Sequence, residues 1–280
     1  MNRFAFLIPF TFFSFAFVAC DDHKVTLSFN TQNPAPEDYE LRSSLRVLVD
    51  SQADSSNAQN PESMNADIRV RLHSELLSAY DDGSGRFLLR VDSANYTSDT
   101  RSVEESDHIE RYLKTQAFQF KMAENGDMKS VSFDDFVALP DIGDVDIRKV
   151  FLKIQPVLPS SPIAVGESWE RQQVISDDNG KQSIAYKWFK LEEIFMRGGV
   201  QLAKVQMNVR YKQRSEDDSQ LLESSDFVLG SGSVIFDVKE GKIVEGELSI
   251  DGKVRLIEKQ SGDTIPDLRV HQKISLRSSR

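Results

Sequence analysis

Apolar and polar residues alternate with a period of two through most of this chain. Ile68, Val70 and Leu72 are interleaved with Arg69, Arg71 and His73, DDGSG follows at 81–85, and Phe87, Leu89 and Val91 open a return run. Successive strand side chains point to opposite faces, so the pattern predicts a hairpin with one apolar and one charged face. Phe118, Phe120 and Met122 repeat the theme, enter Glu124-Asn125-Gly126-Asp127 and return through Met128 and Val131. Asn-Gly favours a tight hairpin because both turn positions take positive φ. Beyond Gly166 the predicted strands are SWERQQVIS, SIAYKWFKLEEIFM, VQLAKVQMNVRYKQR, SGSVIFDV, IVEGELSI, KVRLIEKQ and LRVHQKISL. DDNG, Gly198-Gly199, acidic EDDSQ, KEGK and Asp251-Gly252 fall among the connections. In the last run Leu268, Val270, Ile274 and Leu276 face one way, and Arg269, His271 and Lys273 the other. Long strands with one charged face predict an antiparallel sheet with one solvated side.

The period changes in two places. Ile147, Val150, Phe151 and Ile154 recur at helical spacing, with Asp144 as N-cap and Asp146 in the first turn. Pro156, Pro159 and Pro162 forbid continuation, so the spacing predicts a helix over about 144–155. A weaker helix is predicted from His108 to Lys114 behind Asp107. Near the start, KVTLSFN (24–30) and YELRSSLRVLVD (39–50) read as strands around the turn NPAPED. Residues 51–67 are polar, with Met64 the one large apolar residue, and read as a loop or linker. The expected fold class is mainly antiparallel β with one or two helices (α+β). Its organisation is a leader over 1–19, N-terminal strands and polar linker over 20–67, and a β domain over 68–280. Gly85 and Gly126 lie 41 residues apart and Gly199 and Gly241 lie 42 apart, a spacing that fits either a diffuse duplication or the regular turns of a meander.

The first 19 residues have another character. Arg3 precedes an apolar core from Phe4 to Val18, which contains no acid. That core is shorter than the ~17–25 residues of a bilayer span and matches the ~7–15 of an export signal. It ends at Cys20, the only cysteine in the chain. Val18-Ala19-Cys20 resembles a bacterial lipobox, with Phe17 where that signal most often has leucine. The resemblance implies cleavage between Ala19 and Cys20 and a diacylglyceryl group on the Cys20 thiol. Two or three acyl chains hold a protein on its membrane, since each buried methylene contributes about 0.8 kcal/mol. Asp21 resembles an inner-membrane retention signal and reads equally as an acidic spacer, which leaves inner and outer membrane both open.

Cleavage would remove Arg3 and move the net charge from −10 to −11. An acidic chain without a basic, aromatic-interleaved block is not built for nucleic acid. With its one cysteine acylated the chain has no thiol left for a disulfide, so stability rests on packing.

The segment LPSSPIAVGESWE (158–170) resembles a V-G-x-S-W-like strand start in a group of uncharacterised bacterial envelope lipoproteins, with a likeness extending over residues 66–258. It implies a curved antiparallel sheet or half-barrel packed on a central helix, similar to lipoprotein-localisation carriers, and implies no catalytic residue. Direct search for chemistry points the same way. GESWE has Glu170 where a nucleophile elbow needs glycine, and it leads into a strand. GSGSVI (230–235) lacks the third glycine of a dinucleotide loop and reads as a strand entry or bulge. His23, His73, His108 and His271 have no metal-ligand spacing, and no cofactor motif is present. Lys187-Trp188-Phe189-Lys190 is the apolar cluster of most interest. On a strand, Trp188 and Phe189 face opposite sides, which makes them candidates for contact with a ligand or partner. The expected function is a lipid-anchored envelope protein that binds an apolar ligand or an envelope partner through its curved sheet. The alternatives are an assembly lipoprotein without a pocket and a hydrolase whose acids converge only in three dimensions.

Overall fold

The computed structural model describes residues 24–50, 63–132, 147–176, 182–213, 228–254 and 267–279. The strands are β1 (Glu37–Asp50), β2 (Ser63–Ala79), β3 (Gly85–Ser98), β4 (Ala117–Met122), β5 (Met128–Ser132), β6 (Ser168–Ser176), β7 (Gln182–Arg197), β8 (Val200–Gln213), β9 (Val228–Asp237), β10 (Lys242–Val254) and β11 (Asp267–Ser278). Two helices are inserted, α1 (Val103–Leu113) and α2 (Ile147–Ile154). All eleven strands form one antiparallel sheet in the order β5-β4-β3-β2-β1-β11-β10-β9-β8-β7-β6. The sheet is curved and does not close, and β5 and β6 are its two edges. The expected fold class is therefore the observed one.

The period-two runs place their apolar members on the concave face. Leu41, Val70, Leu72, Leu89, Val205, Met207, Val234, Leu248, Ile274 and Leu276 form one buried cluster with α2. Helix α2 buries Ile147, Val150, Phe151 and Ile154 against the sheet, as its spacing predicts. The first residues of the predicted helix, 144–146, lie outside the described residues. No helix among the described residues is long and apolar enough to cross a membrane.

Four expectations are corrected. Helix α1 starts at Val103, five residues before the predicted boundary, because Ser102 and Glu105 form a reciprocal capping box. It is fastened to β3 through Glu110 Oε1, which accepts from the Tyr96 backbone N–H (2.9 Å) and Asn95 Nδ2 (3.0 Å). Strand β2 begins at Ser63, within the tract read as linker. Residues 63–67 carry only Met64 and Ala66 as apolar side chains, yet Ser44–Leu48 of β1 supply their ladder. Asp251-Gly252 is no turn, since both residues sit inside β10 and pair with β9 and β11.

The fourth correction concerns residues 24–30, which form no ladder strand. They make a strap across one end of the sheet. Val25 exchanges two backbone bonds with Ile163 (2.9 Å each), the Phe29 N–H donates to Glu124 O (2.7 Å), and the Asn30 N–H donates to Gly241 O (3.0 Å). The Thr31 hydroxyl donates to Gly83 O. The strap thus joins the β2–β3, β4–β5 and β9–β10 turns, with Leu27 and Phe29 buried beneath it.

Candidate apolar site in the concave face

Under the strap lies a cavity of about 70 Å³. Phe29 of the strap, Phe87 of β3, Phe120 and Met122 of β4, Phe151 of α2 and Ile243 of β10 give it apolar walls. The rings hold one another: Phe87 stacks on Phe120 at 5.6 Å between centroids, and Phe120 meets Phe151 at 6.5 Å. Strand pairing sets this up by placing Phe87 directly opposite Phe120.

One part of the wall is polar. Glu37 at the start of β1 is buried and accepts from Lys242 Nζ through one oxygen and from Ser278 Oγ (3.1 Å) through the other. Tyr39, two residues along, is also buried. Desolvation, helped by the nearby Glu37 charge, pushes its phenol pKa well above the ordinary value, so the hydroxyl keeps its proton. Gln155 completes this side with Nε2 3.8 Å from Met122 Sδ. The arrangement is an apolar slot with an ion pair at one edge, able to receive a short apolar group and to orient a polar one beside it.

Helix α2 is fixed above the sheet by an unusual contact. Lys187 of β7 is completely buried, and its Nζ donates to the backbone oxygens of Leu152 and Gln155, 3.0 Å each. These are carbonyls at the end of α2 that lack intrahelical partners, and the negative end of the helix dipole favours a cation there. Desolvation lowers the Lys187 pKa to about 7. Nearby, Lys153 Nζ donates to Gln272 Oε1 (3.0 Å), and Gln272 Nε2 donates to Ser43 Oγ (2.9 Å), tying the helix to β11 and β1.

The two aromatic candidates part company. Phe189 is buried in the core and stacks on Trp169 at 5.3 Å, while Trp169 Nε1 donates to Val157 O (2.7 Å). Trp188 is on the outer face, 40% exposed, and stacks on Tyr186 at 6.4 Å. Neither lines the cavity under the strap. Ala19 and Cys20, the predicted cleavage and lipidation positions, lie outside the described residues.

Sequence spacing missed one convergence. Asp38, His73 and Asp92 come from three adjacent strands of the outer face, and their ligand atoms lie within 4.8 Å of one another. His73 Nδ1 is 2.7 Å from Asp38 Oδ1, and Asp92 Oδ1 accepts from Arg90 Nε at 3.0 Å. A β-bulge beside Arg71–Leu72 admits Asp92 as an extra residue on that face. Such a group could hold a divalent cation if Arg90 turned away. No local motif encodes it, because each member is on a different strand.

No protein-family model matches the chain, and no curated protein matches it. Among solved structures, DynF from the dynemicin biosynthesis pathway of Micromonospora chersina aligns over 90% of this chain and 83% of its own, at 6% identity and a TM-score of 0.21. A likeness at that level carries no argument about function.

Proposed function

We propose that the protein is a lipid-anchored component of a bacterial cell envelope that receives an apolar group in the concave face of its sheet. The cavity under the strap is the observation that supports this reading. Its volume of about 70 Å³ is below the ~150 Å³ of an apolar cavity that binds benzene. It suits the end of an acyl chain or one hydrophobic side chain, with Glu37 and Lys242 beside the polar end. In this reading the anchor is an acylated Cys20, and the membrane is reached through it.

One observation favours the alternative of an assembly lipoprotein without a pocket. The strap and α2 already fill most of the concave face with the chain's own side chains, Leu27, Phe29, Val150 and Ile154 among them.

Titration of the purified protein with a fluorescent fatty acid separates the two readings. Saturable binding that falls when Ala35→Trp covers the cavity mouth supports the apolar site. Equal binding by wild type and variant, or none, supports the assembly reading. Intact mass and membrane fractionation beside Cys20→Ser test the anchor separately. Acyl mass on a chain beginning at Cys20, with release of the variant from membranes, is the expected result.

A further inference from the structure

The outer face holds a second concavity, on the opposite side of the sheet from the cavity under the strap. Cross-strand pairs align Trp188, Asn208, Ser231, Ser249, Lys273 and Ser44 in one row across β7, β8, β9, β10, β11 and β1. The neighbouring row, two residues along each strand, includes Gln206 and Glu247. A groove of about 610 Å³ runs where these rows cross β8, β9, β10, β11 and β1, within the ~300–1,000 Å³ usual for ligand sites. We propose that this groove binds an extended, largely uncharged oligosaccharide, with Trp188 as a stacking platform beside one end. The proposal is independent of the apolar site and of the anchor.

The GSGS run explains why a hollow exists here. Gly230 and Gly232 take the inward positions of β9, and Ser231 and Ser233 the outward ones. A Cβ on Gly232 would lie 1.9 Å from Glu247 O, so glycine lets β9 and β10 close up. The outward serines are too short to fill the surface above them.

The groups that remain fit a sugar better than other polymers. The side chains of Ser231, Ser249, Gln206, Glu247 and Lys273 have no hydrogen-bond or ion-pair partner among the described residues. They offer donors and acceptors at strand intervals of about 4.8 Å, which suits a chain of hydroxyls that both donate and accept. The groove gives a polyanion little field. Lys204 pairs with Glu192 (2.9 Å), Arg42 shares Glu40 (2.6 Å) with Arg69, and Lys273 and Glu247 add one charge of each sign, so the positive excess is a single charge at the β1 end. An apolar helix would find almost no exposed apolar floor, because Leu248 and Ile274 are buried. Trp188 is held by its stack on Tyr186 and exposes a ring of the kind on which the C–H face of a pyranose rests.

The test titrates the native protein with a panel of short neutral oligosaccharides, chitotetraose among them, following calorimetry and tryptophan fluorescence. At least one member should bind saturably, with Trp188→Ala and Gln206→Ala each weakening it about tenfold. Ser249→Gln, which fills the groove from a solvent-facing position, should do the same. Thermal unfolding and circular dichroism confirm that each variant folds, and any of the three that folds suffices. Binding by no member of the panel overturns the proposal. So does affinity unchanged in all the variants that fold, or binding confined to heparin or to an extended peptide.

Discussion

Lys187 sets the sharpest expectation at the scale of one residue. Its pKa of about 7 in the folded chain lies below its unfolded value of about 10.5. Between those two limits the unfolded chain binds one more proton than the folded one. Stability should therefore rise with pH from about 7 to about 10.5, by up to about 1.4 kcal/mol per pH unit, and this contribution is flat below 7. Urea unfolding at a series of pH values should show that slope as the difference between wild type and Lys187→Met. An identical pH dependence in both proteins would refute it. Glycine substitutions give a second, geometric test. Gly198 and Gly241 both have positive φ, but a Cβ meets nothing within 4 Å at Gly198 and lies 2.5 Å from Asn30 N at Gly241. Gly198→Ala should cost about 1 kcal/mol, and Gly241→Ala about 2 kcal/mol more because the strap must shift.

Among the elements, α1 depends on its first turn. Ser102→Ala removes the side chain that accepts from the Glu105 N–H (3.3 Å) and should lower the unfolding free energy by about 1 kcal/mol. Amide exchange within 103–113 should quicken more than in β7. At this scale the sequence was most readable where side-chain direction alone decides, as in β3, β4 and α2. It was least readable where a partner strand decides. Ser63–Asp67 look like linker until β1 supplies their ladder, and Asp251-Gly252 looks like a turn until strands on both sides hold it extended. Residues 24–30 have strand composition, but the three turns they cross lie far away in sequence. Of the four glycines whose paired spacing fits a duplication, Gly85, Gly126 and Gly241 lie close to the strap, at Thr31 O, the Phe29 ring and Asn30 N respectively, while a Cβ at Gly199 would meet nothing within 4 Å. The first three answer to that shared neighbour and Gly199 does not.

For the whole molecule, the apolar face could be read from the alternation, whereas the sites on it could not. The cavity walls come from the strap, β1, β2, β3, β4, α2 and β10, and the outer groove from β8, β9, β10, β11 and β1 together with Glu192 of β7. A site assembled from so many segments leaves no local motif. Lys187 illustrates the same limit: alternation puts it on the face of Phe189, but only the fold shows that a lysine there meets the end of α2. Trp188 was legible as one of a pair facing opposite sides, and the register decided that it is the outward one.

The strap also has a geometric consequence for a chain held at Cys20. Three residues separate that position from Lys24, and the four backbone steps between the two reach at most about 14 Å, less than half the thickness of a bilayer's hydrocarbon core, about 30 Å. So short a tether leaves the molecule little choice of posture: the rim carrying the β2–β3, β4–β5 and β9–β10 turns would face the lipid, and the far ends of β2 and β3 would point away. A fluorophore at Lys239 should then be quenched by spin-labelled lipid headgroups, and one at Thr100 should not. Equal quenching at both positions would mean that the foot does not orient the body. An upright bowl on a short stalk could take an acyl end directly from the surface beneath it, without a diffusing carrier between them.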